Sequence, residues 1–264
     1  MTWDPTQYLR YGDERSRPFF ELVARIGADS DDVRTVVDLG CGPGNLTATL
    51  ADRWPSARVV GVDNDDAMLH AAAASAGDGL SFVSGDIATW QAEGGAPVDV
   101  LVSNAALQWV LDHVERLPSL LEQVRPGGWL AFQVPGNLDD PHHQSIREVR
   151  SRSRWASFPA LAALPTRTHV SKTASVYADV LAPLCDHVDA WETSYVHILQ
   201  GDDPILEWVK GTGLRPVLHA LETDELRAEF CAELAPLLRD AYPSRPWGTP
   251  FPFRRVFVVV RRAS

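Results

Sequence analysis

Four short stretches in the first 110 residues set chemically capable side chains at the end of an apolar run. In VVDLGCGPGN (36–45), Asp38 precedes Gly40, Gly42 and Gly44, and Asn45 follows. RVVGVDN (58–64) ends in Asp63 and Asn64, and GDI (85–87) brings Asp86 and Ile87 after LSFVS. SNAALQW (103–109) offers Asn104 and Gln108 as amides and Trp109 as an aromatic face. Carboxylates accept hydrogen bonds and donate none, so these tips suit a ligand rich in hydroxyl and amino groups. Backbone N–H groups of a glycine turn that opens a helix add a positive end. The chemistry is recognition of a nucleoside-like molecule. Nothing resembles a Ser-His-Asp or Cys-His arrangement. His142 and His143 are adjacent and point apart, with no H-x-x-x-H pair, so no metal is expected.

Spacing narrows the ligand. A phosphate-binding P-loop needs Lys-Ser or Lys-Thr after its last glycine, whereas Leu46 follows Asn45 here. The dinucleotide fingerprint is G-x-G-x-x-G; this chain has G-x-G-x-G, with the third glycine one residue early and Pro43 stiffening the turn. Asp38 at the strand tip would repel a pyrophosphate. A cofactor with an amino group and no phosphates fits better, and S-adenosylmethionine is such a molecule. Asp63, 19 residues past Gly44, is placed to accept from both ribose hydroxyls. Asp86 can accept from an adenine amino group while Ile87 packs on the ring. Met68 is assigned either to the adenine edge or to packing on the sheet. An NAD-dependent oxidoreductase is the rival that the early glycine disfavours.

These residues need strands to carry them and helices to space them. Thr35–Leu39, Arg58–Asp63, Leu80–Ser84, Val98–Ser103 and Trp129–Val134 read as strands. Helices are expected over Leu46–Trp54, stopped by Pro55, over Asp65–Ala76, closed by Gly77, and over Val114–Val124. Alternating strands and helices predict an α/β fold with a mostly parallel, doubly covered sheet. After Pro135 the rhythm changes. Helical cap insertions are expected over about 137–175 and 200–253, with helix Thr173–Leu184 and strand Val188–Leu199 between them. RRVFVVVRR (254–262) predicts a last strand added antiparallel. A single domain of 264 residues is expected, with an N-terminal segment of about 1–30, aromatic at Trp3, Tyr8 and Tyr11, as a lid over the cofactor.

Together these residues resemble the class I S-adenosylmethionine-dependent methyltransferases. The resemblance covers nearly the whole chain. DLGCGPGN and VRPGG are general to that class; WDPTQYL, ERSRP, SNAALQWVLDH, WVKGTGLRP and FPFRRVFVVVRR are more specific. It implies a seven-stranded Rossmann-like sheet. It also implies methyl transfer from S-adenosylmethionine to a carboxylate of a small tricarboxylate, giving a methyl ester and S-adenosylhomocysteine. Another small acid, an acyl-carrier thioester or an amine is the alternative acceptor. A non-catalytic module that binds the same cofactor is the non-enzymatic alternative, disfavoured by two large caps.

A carboxylate, with an ordinary pKa of about 4, is already ionised at neutral pH, so no general base is expected. Rate should come from positioning and from exclusion of water. The remaining negative charges of a tricarboxylate call for arginines, whose planar fork matches a carboxylate. Arg17 in ERSRP, Arg147 in REVRSRSR and Arg215 in GTGLRP are the candidates, with Trp109, Tyr195 and Trp208 as walls. In REVRSRSR, Arg147, Arg150 and Arg154 share a face at helical spacing.

Composition bounds the partners. The chain is 45% hydrophobic and 22% charged, with a formal net charge of −11. Such an acidic chain is a poor electrostatic match for nucleic acid or an anionic membrane. The N-terminus shows no apolar signal region and no stretch reaches about 18 uninterrupted apolar residues. Cys41, Cys185 and Cys231 are few and widely spaced, which suits a reducing cytoplasm.

Overall fold

Short β-branched runs become the central strands because both of their faces are covered. In strand β1 (Thr35–Leu39), four of five residues are buried, and β4 (Val98–Asn104) is buried along all but its last residue. The computed structural model describes residues 12–165 and 171–264. The other strands are β2 (Arg58–Asp63), β3 (Leu80–Ser84), β5 (Val124–Pro135), β6 (Cys185–Leu199) and β7 (Thr249–Arg262). They form one seven-stranded sheet in the order β3-β2-β1-β4-β5-β7-β6. The pairs β3–β2, β2–β1, β1–β4 and β4–β5 are parallel, and β7 runs antiparallel to β5 from Trp129 opposite Arg261 to Pro135 opposite Arg255. The order reverses direction between β1 and β4, the switch point beyond whose carboxyl ends open α/β sheets bind their ligands.

Helices α1 (Gly12–Ala24), α2 (Asn45–Arg53), α3 (Asp66–Ala72) and α4 (His113–Glu122) connect or flank these strands. Helix α3 is shorter than its alanine-rich sequence predicts. Its last turn tightens into a 3₁₀ segment, Ala73–Ser75, before Gly77. Strand β5 is longer than predicted: RPGG lies inside it, and the irregularity falls in the pairing between Val98 and Val100 of β4.

The chain divides into two compact units. The first comprises residues 12–136, 171–193 and 255–264 among those described. Its core joins Val37, Leu39 and Leu101 with Phe132, Val258 and Leu117. It also contains α8 (Ala174–Leu181), whose Tyr177 is fully buried. The second comprises residues 137–165 and 194–254. It contains α5 (Pro141–Ser151), α6 (Ser153–Ala156), α7 (Pro159–Ala162), α9 (Pro204–Lys210), α10 (Arg215–Ala220) and α11 (Asp224–Ala241). Its interior is aromatic. Trp155 meets Phe230 edge-on at 5.1 Å, and Trp208 packs on Phe251 at 5.7 Å and Phe253 at 5.8 Å. The predicted lid lies outside the described residues up to Tyr11; beyond that, α1 packs on β5. No helix among the described residues is long and apolar enough to cross a membrane.

Candidate functional site

The four stretches meet at the carboxyl edge of the first unit's sheet. Asp38 lies one residue before the end of β1, is 2% exposed, and accepts a 2.6 Å hydrogen bond from the Thr47 hydroxyl through Oδ2. Its Oδ1 is buried with no hydrogen-bond partner. Gly40, Gly42 and Gly44 all have positive φ, so the turn leaves the strand in a left-handed conformation open to glycine. At Gly40 a side chain is excluded twice over, because a Cβ would stand 2.2 Å from that of Ala106. Gly42 faces open space instead, and its N–H donates 2.9 Å to Asp63 Oδ2. Asn45, exposed, begins α2.

Asp63 ends β2 and ties two loops together. Besides Gly42, it accepts from the Asp65 N–H at 3.0 Å through Oδ1. The N-cap of α3 is Asp65, which accepts from the N–H groups of Ala67 and Met68, so Asp63 is left facing the glycine turn. A carboxylate has room for about four hydrogen bonds, so its backbone donors leave room for a ligand hydroxyl. Asn64 is exposed beside it, while Met68 is 2% exposed and packed inward. Asp86 is exposed and accepts from the Ala88 N–H at 2.9 Å; Ile87, half-buried, packs against the core and reaches toward Gly40.

Beyond β4 the backbone is strained: Ala105 sits at φ 54 without being glycine. A relay that sequence reading missed orients Asn104. Arg255, 5% exposed, donates through Nη1 to Gln133 Oε1 at 3.3 Å, and Gln133 Nε2 donates to Asn104 Oδ1 at 2.6 Å. With its oxygen so engaged, Asn104 presents its NH₂ as a donor. Ser103 Oγ donates to Leu39 O at 2.9 Å and locks β4 to β1 beneath the turn. Gln108 is folded onto Ala105 O at 2.5 Å, and Trp109 is half-buried at the end of the 3₁₀ turn Leu107–Trp109. The Arg255–Gln133 pairing was hidden because 122 residues separate its members.

Charge in the site is one-sided. Burial pushes the Asp38 carboxyl up to about 7; the Thr47 hydrogen bond opposes that and the Asp63 charge adds to it. Burial also raises Asp63, against the backbone N–H groups of Asp65 and Gly42. Cys41 is raised by burial and then by both carboxylates, so it stays a thiol and is no nucleophile. Two neighbouring acidic side chains with no ion pair among the described residues disfavour a phosphate and favour a cation.

The tricarboxylate candidates separate. Arg17 lies on α1, two-thirds exposed at its side chain, and pairs with Glu21 at 2.8 Å. Of the REVRSRSR arginines, Arg150 caps Leu161 O and Leu164 O, Arg152 pairs with Glu148 and Glu233, and Arg154 pairs with Glu229. Arg147, like Arg150, is paired with a backbone carbonyl and not with a carboxylate; its Nη1 donates 3.0 Å to Leu138 O. Tyr195 and Trp208 come together through His197, which stacks on both rings at 6.3 and 4.9 Å. Arg215 opens α10, half-buried. Gly213 in the same GTGLRP stretch lies against the His143 ring. Burial lowers His143 to about 4 and His142 well below its ordinary value, so both are neutral at pH 7. Among the described residues no group of three or more His, Cys, Asp or Glu side chains could hold a metal ion.

Comparison with known proteins decides the family. Residues 36–128 match the family described as "Methyltransferase domain". A trans-aconitate 2-methyltransferase of Streptomyces avermitilis is 48% identical over 100% of this chain and 98% of its own. That of a Mycobacterium species (strain KMS) is 49% identical over 98% and 99%. The chain belongs to the trans-aconitate 2-methyltransferase family. It is therefore a methyltransferase, and the glycine turn and strand tips just described all fall inside the matched domain or on its flank. Among solved structures, phosphoethanolamine N-methyltransferase 2 of Haemonchus contortus, in complex with phosphomonomethylethanolamine and S-adenosylhomocysteine, shares the fold. Its TM-score is 0.56 at 15% identity, over 94% of this chain and 53% of that one.

Proposed function

We propose that this chain transfers the methyl group of S-adenosylmethionine to a carboxylate of trans-aconitate, giving a monomethyl ester and S-adenosylhomocysteine. The observation that carries the reading is the pair Asp38 and Asp63: a buried carboxylate with a partnerless oxygen, near a second that accepts from the N–H of Gly42 in the glycine turn. S-adenosylmethionine, when bound, supplies an electrophilic methyl group on a cationic sulfur. Asp38 answers its ammonium, and Asp63 its ribose hydroxyls. Asp86 and Ile87 take the adenine, with the backbone of Gly40–Asn45 and the side chains of Asn64, Asn104 and Gln108 completing the cradle, while Met68 packs beneath it.

The acceptor oxygen is already anionic, so the chain needs no base and none is assigned. Transfer from a bound sulfonium to that oxygen would form one oxygen–carbon bond, break one carbon–sulfur bond and leave a neutral thioether, so no side chain here would have to take or give a proton. The protein's task is to hold oxygen and carbon at about 3–3.5 Å and keep water out. Arg147 and Arg215 are assigned to the acceptor's other carboxylates, with Tyr195 and Trp208 as walls. The three free thiols suit a cytoplasmic setting.

The test is transfer of labelled methyl from S-adenosylmethionine across tricarboxylates, dicarboxylates, amines and thioesters. A base-labile product formed fastest from trans-aconitate is expected. A base-stable product, or preference for an amine, would overturn the acceptor assignment.

A further inference from the structure

Two residues past the end of β5, the chain buries a polar side chain it does not use. Asn137 is 1% exposed, and neither Nδ2 nor Oδ1 has a hydrogen-bond partner. Its backbone is committed, since Asn137 O accepts from the Asp140 N–H at 3.0 Å and fixes the turn into α5. An unsatisfied buried amide is expensive, and the alternative at such a position is an apolar residue. Asn137 therefore invites an explanation outside the fold itself.

Its surroundings in the second unit say what it would bind. Arg147, one of the arginines assigned above to the acceptor, lays its guanidinium on the neighbouring residue through the 3.0 Å bond to Leu138 O. That bond uses one of five donors and holds the cation beside the Asn137–Leu138 turn. His142 and His143, which Arg147 influences, are kept neutral by burial and add no rival charge. A half-buried cation reaching from α5 to Leu138 O, beside a buried amide at Asn137, forms a donor set for an anion with two oxygens.

Resting on the function proposed above, we propose that Asn137 is a specificity-determining residue that binds an acceptor carboxylate, its Nδ2 donating to one oxygen while Arg147 neutralises the charge. The amide alone could not distinguish a carboxylate from a carboxamide or an alcohol. Paired with a held guanidinium, it selects an anion and orients its plane. Sequence reading passed over Asn137 because a lone asparagine after a strand is an ordinary turn residue.

The experiment compares wild type with Asn137→Leu and Asn137→Asp, measuring acceptor KM, kcat and the Kd for S-adenosylmethionine by calorimetry. Trans-aconitate KM is expected to rise at least about 10-fold in Asn137→Leu, the loss of one hydrogen bond to a charged group. It should rise further in Asn137→Asp, where two anions oppose. Donor Kd should stay within twofold in both. Acceptor KM within twofold of wild type in both variants would overturn the proposal. So would loss of donor binding in Asn137→Asp, which keeps the amide's shape and would assign Asn137 to the fold. Wild-type turnover of trans-aconitate reports on the function alone, so failure of the function and failure of the Asn137 assignment read out separately.

Discussion

Asp38 is a carboxylate held near its titration point at neutral pH. Its folded pKa, about 7, lies above the unfolded value of about 4, so between them the folded protein holds the proton that the unfolded chain has released. Stability of the unliganded protein should fall as pH rises through that window, by up to about 4 kcal/mol from this group. Asn at this position cannot ionise. Urea unfolding at pH 5 and pH 8 should show a smaller loss for Asp38→Asn than for wild type; equal losses would place the titration elsewhere. Binding has the opposite slope. The ammonium of the methyl donor prefers the ionised carboxylate, so donor affinity should strengthen as pH passes about 7 in wild type and flatten in the variant. On the proposed assignment the same carboxyl costs stability and supplies affinity, as buried functional groups commonly do.

The strands and turns matter because their tips must agree to within a fraction of an ångström. One residue at the opposite edge enforces this. Asp99, at the start of β4, accepts from the N–H groups of Arg34 and Thr35 at 2.8 Å each, and pairs with Arg125 in β5. It therefore sets β1, β4 and β5 in register beneath the glycine turn. Burial tends to raise its carboxyl, but the Arg125 hydrogen bond and the two backbone donors win and hold it below the ordinary value. A lowered folded pKa gives stability that is present above about pH 4 and lost as pH falls through the folded value. Asp99→Ala should cost about 2–4 kcal/mol at pH 7, mostly from the two orphaned N–H groups. Arg125 is partly solvated, so the ion pair itself adds little. The gap to wild type in urea unfolding should narrow below pH 4; a gap independent of pH would deny the carboxylate this role.

Across the whole molecule, two cores divide the labour. The first unit builds its core from aliphatic strand residues, while the second gathers rings from segments far apart in sequence. Trp208 comes from α9 and Phe251 and Phe253 from the start of β7. Trp208→Ala removes a fully buried indole and should cost about 3–5 kcal/mol. Hydrogen exchange should accelerate at residues 204–210 and 249–253; unchanged protection there would show that the rings are not the second unit's anchor.

What could be read from the amino acids was local in origin. The Gly-x-Gly-x-Gly turn, the acidic strand tips and the final antiparallel strand depend on residues a few positions apart, where period, backbone freedom and side-chain type leave little choice. So the α/β sheet and the meeting of its acidic strand tips at the glycine turn were legible. The extra length of β5 and the 3₁₀ finish of α3 were not, since neighbouring strands and packing decide them. Long-range pairings were equally hidden: Gln133 on Asn104, Arg255 on Gln133 and His197 between Tyr195 and Trp208. Nor could spacing separate the arginines: Arg150 and Arg154 share a face with Arg147, and only folding brought up the carbonyls and the glutamate that occupy those two. A side chain's type is written in the chain, but whether it is already spent depends on which distant groups the fold carries to it. For Asp38 and Asn137, unspent oxygens and nitrogens became visible only once burial had removed every other partner.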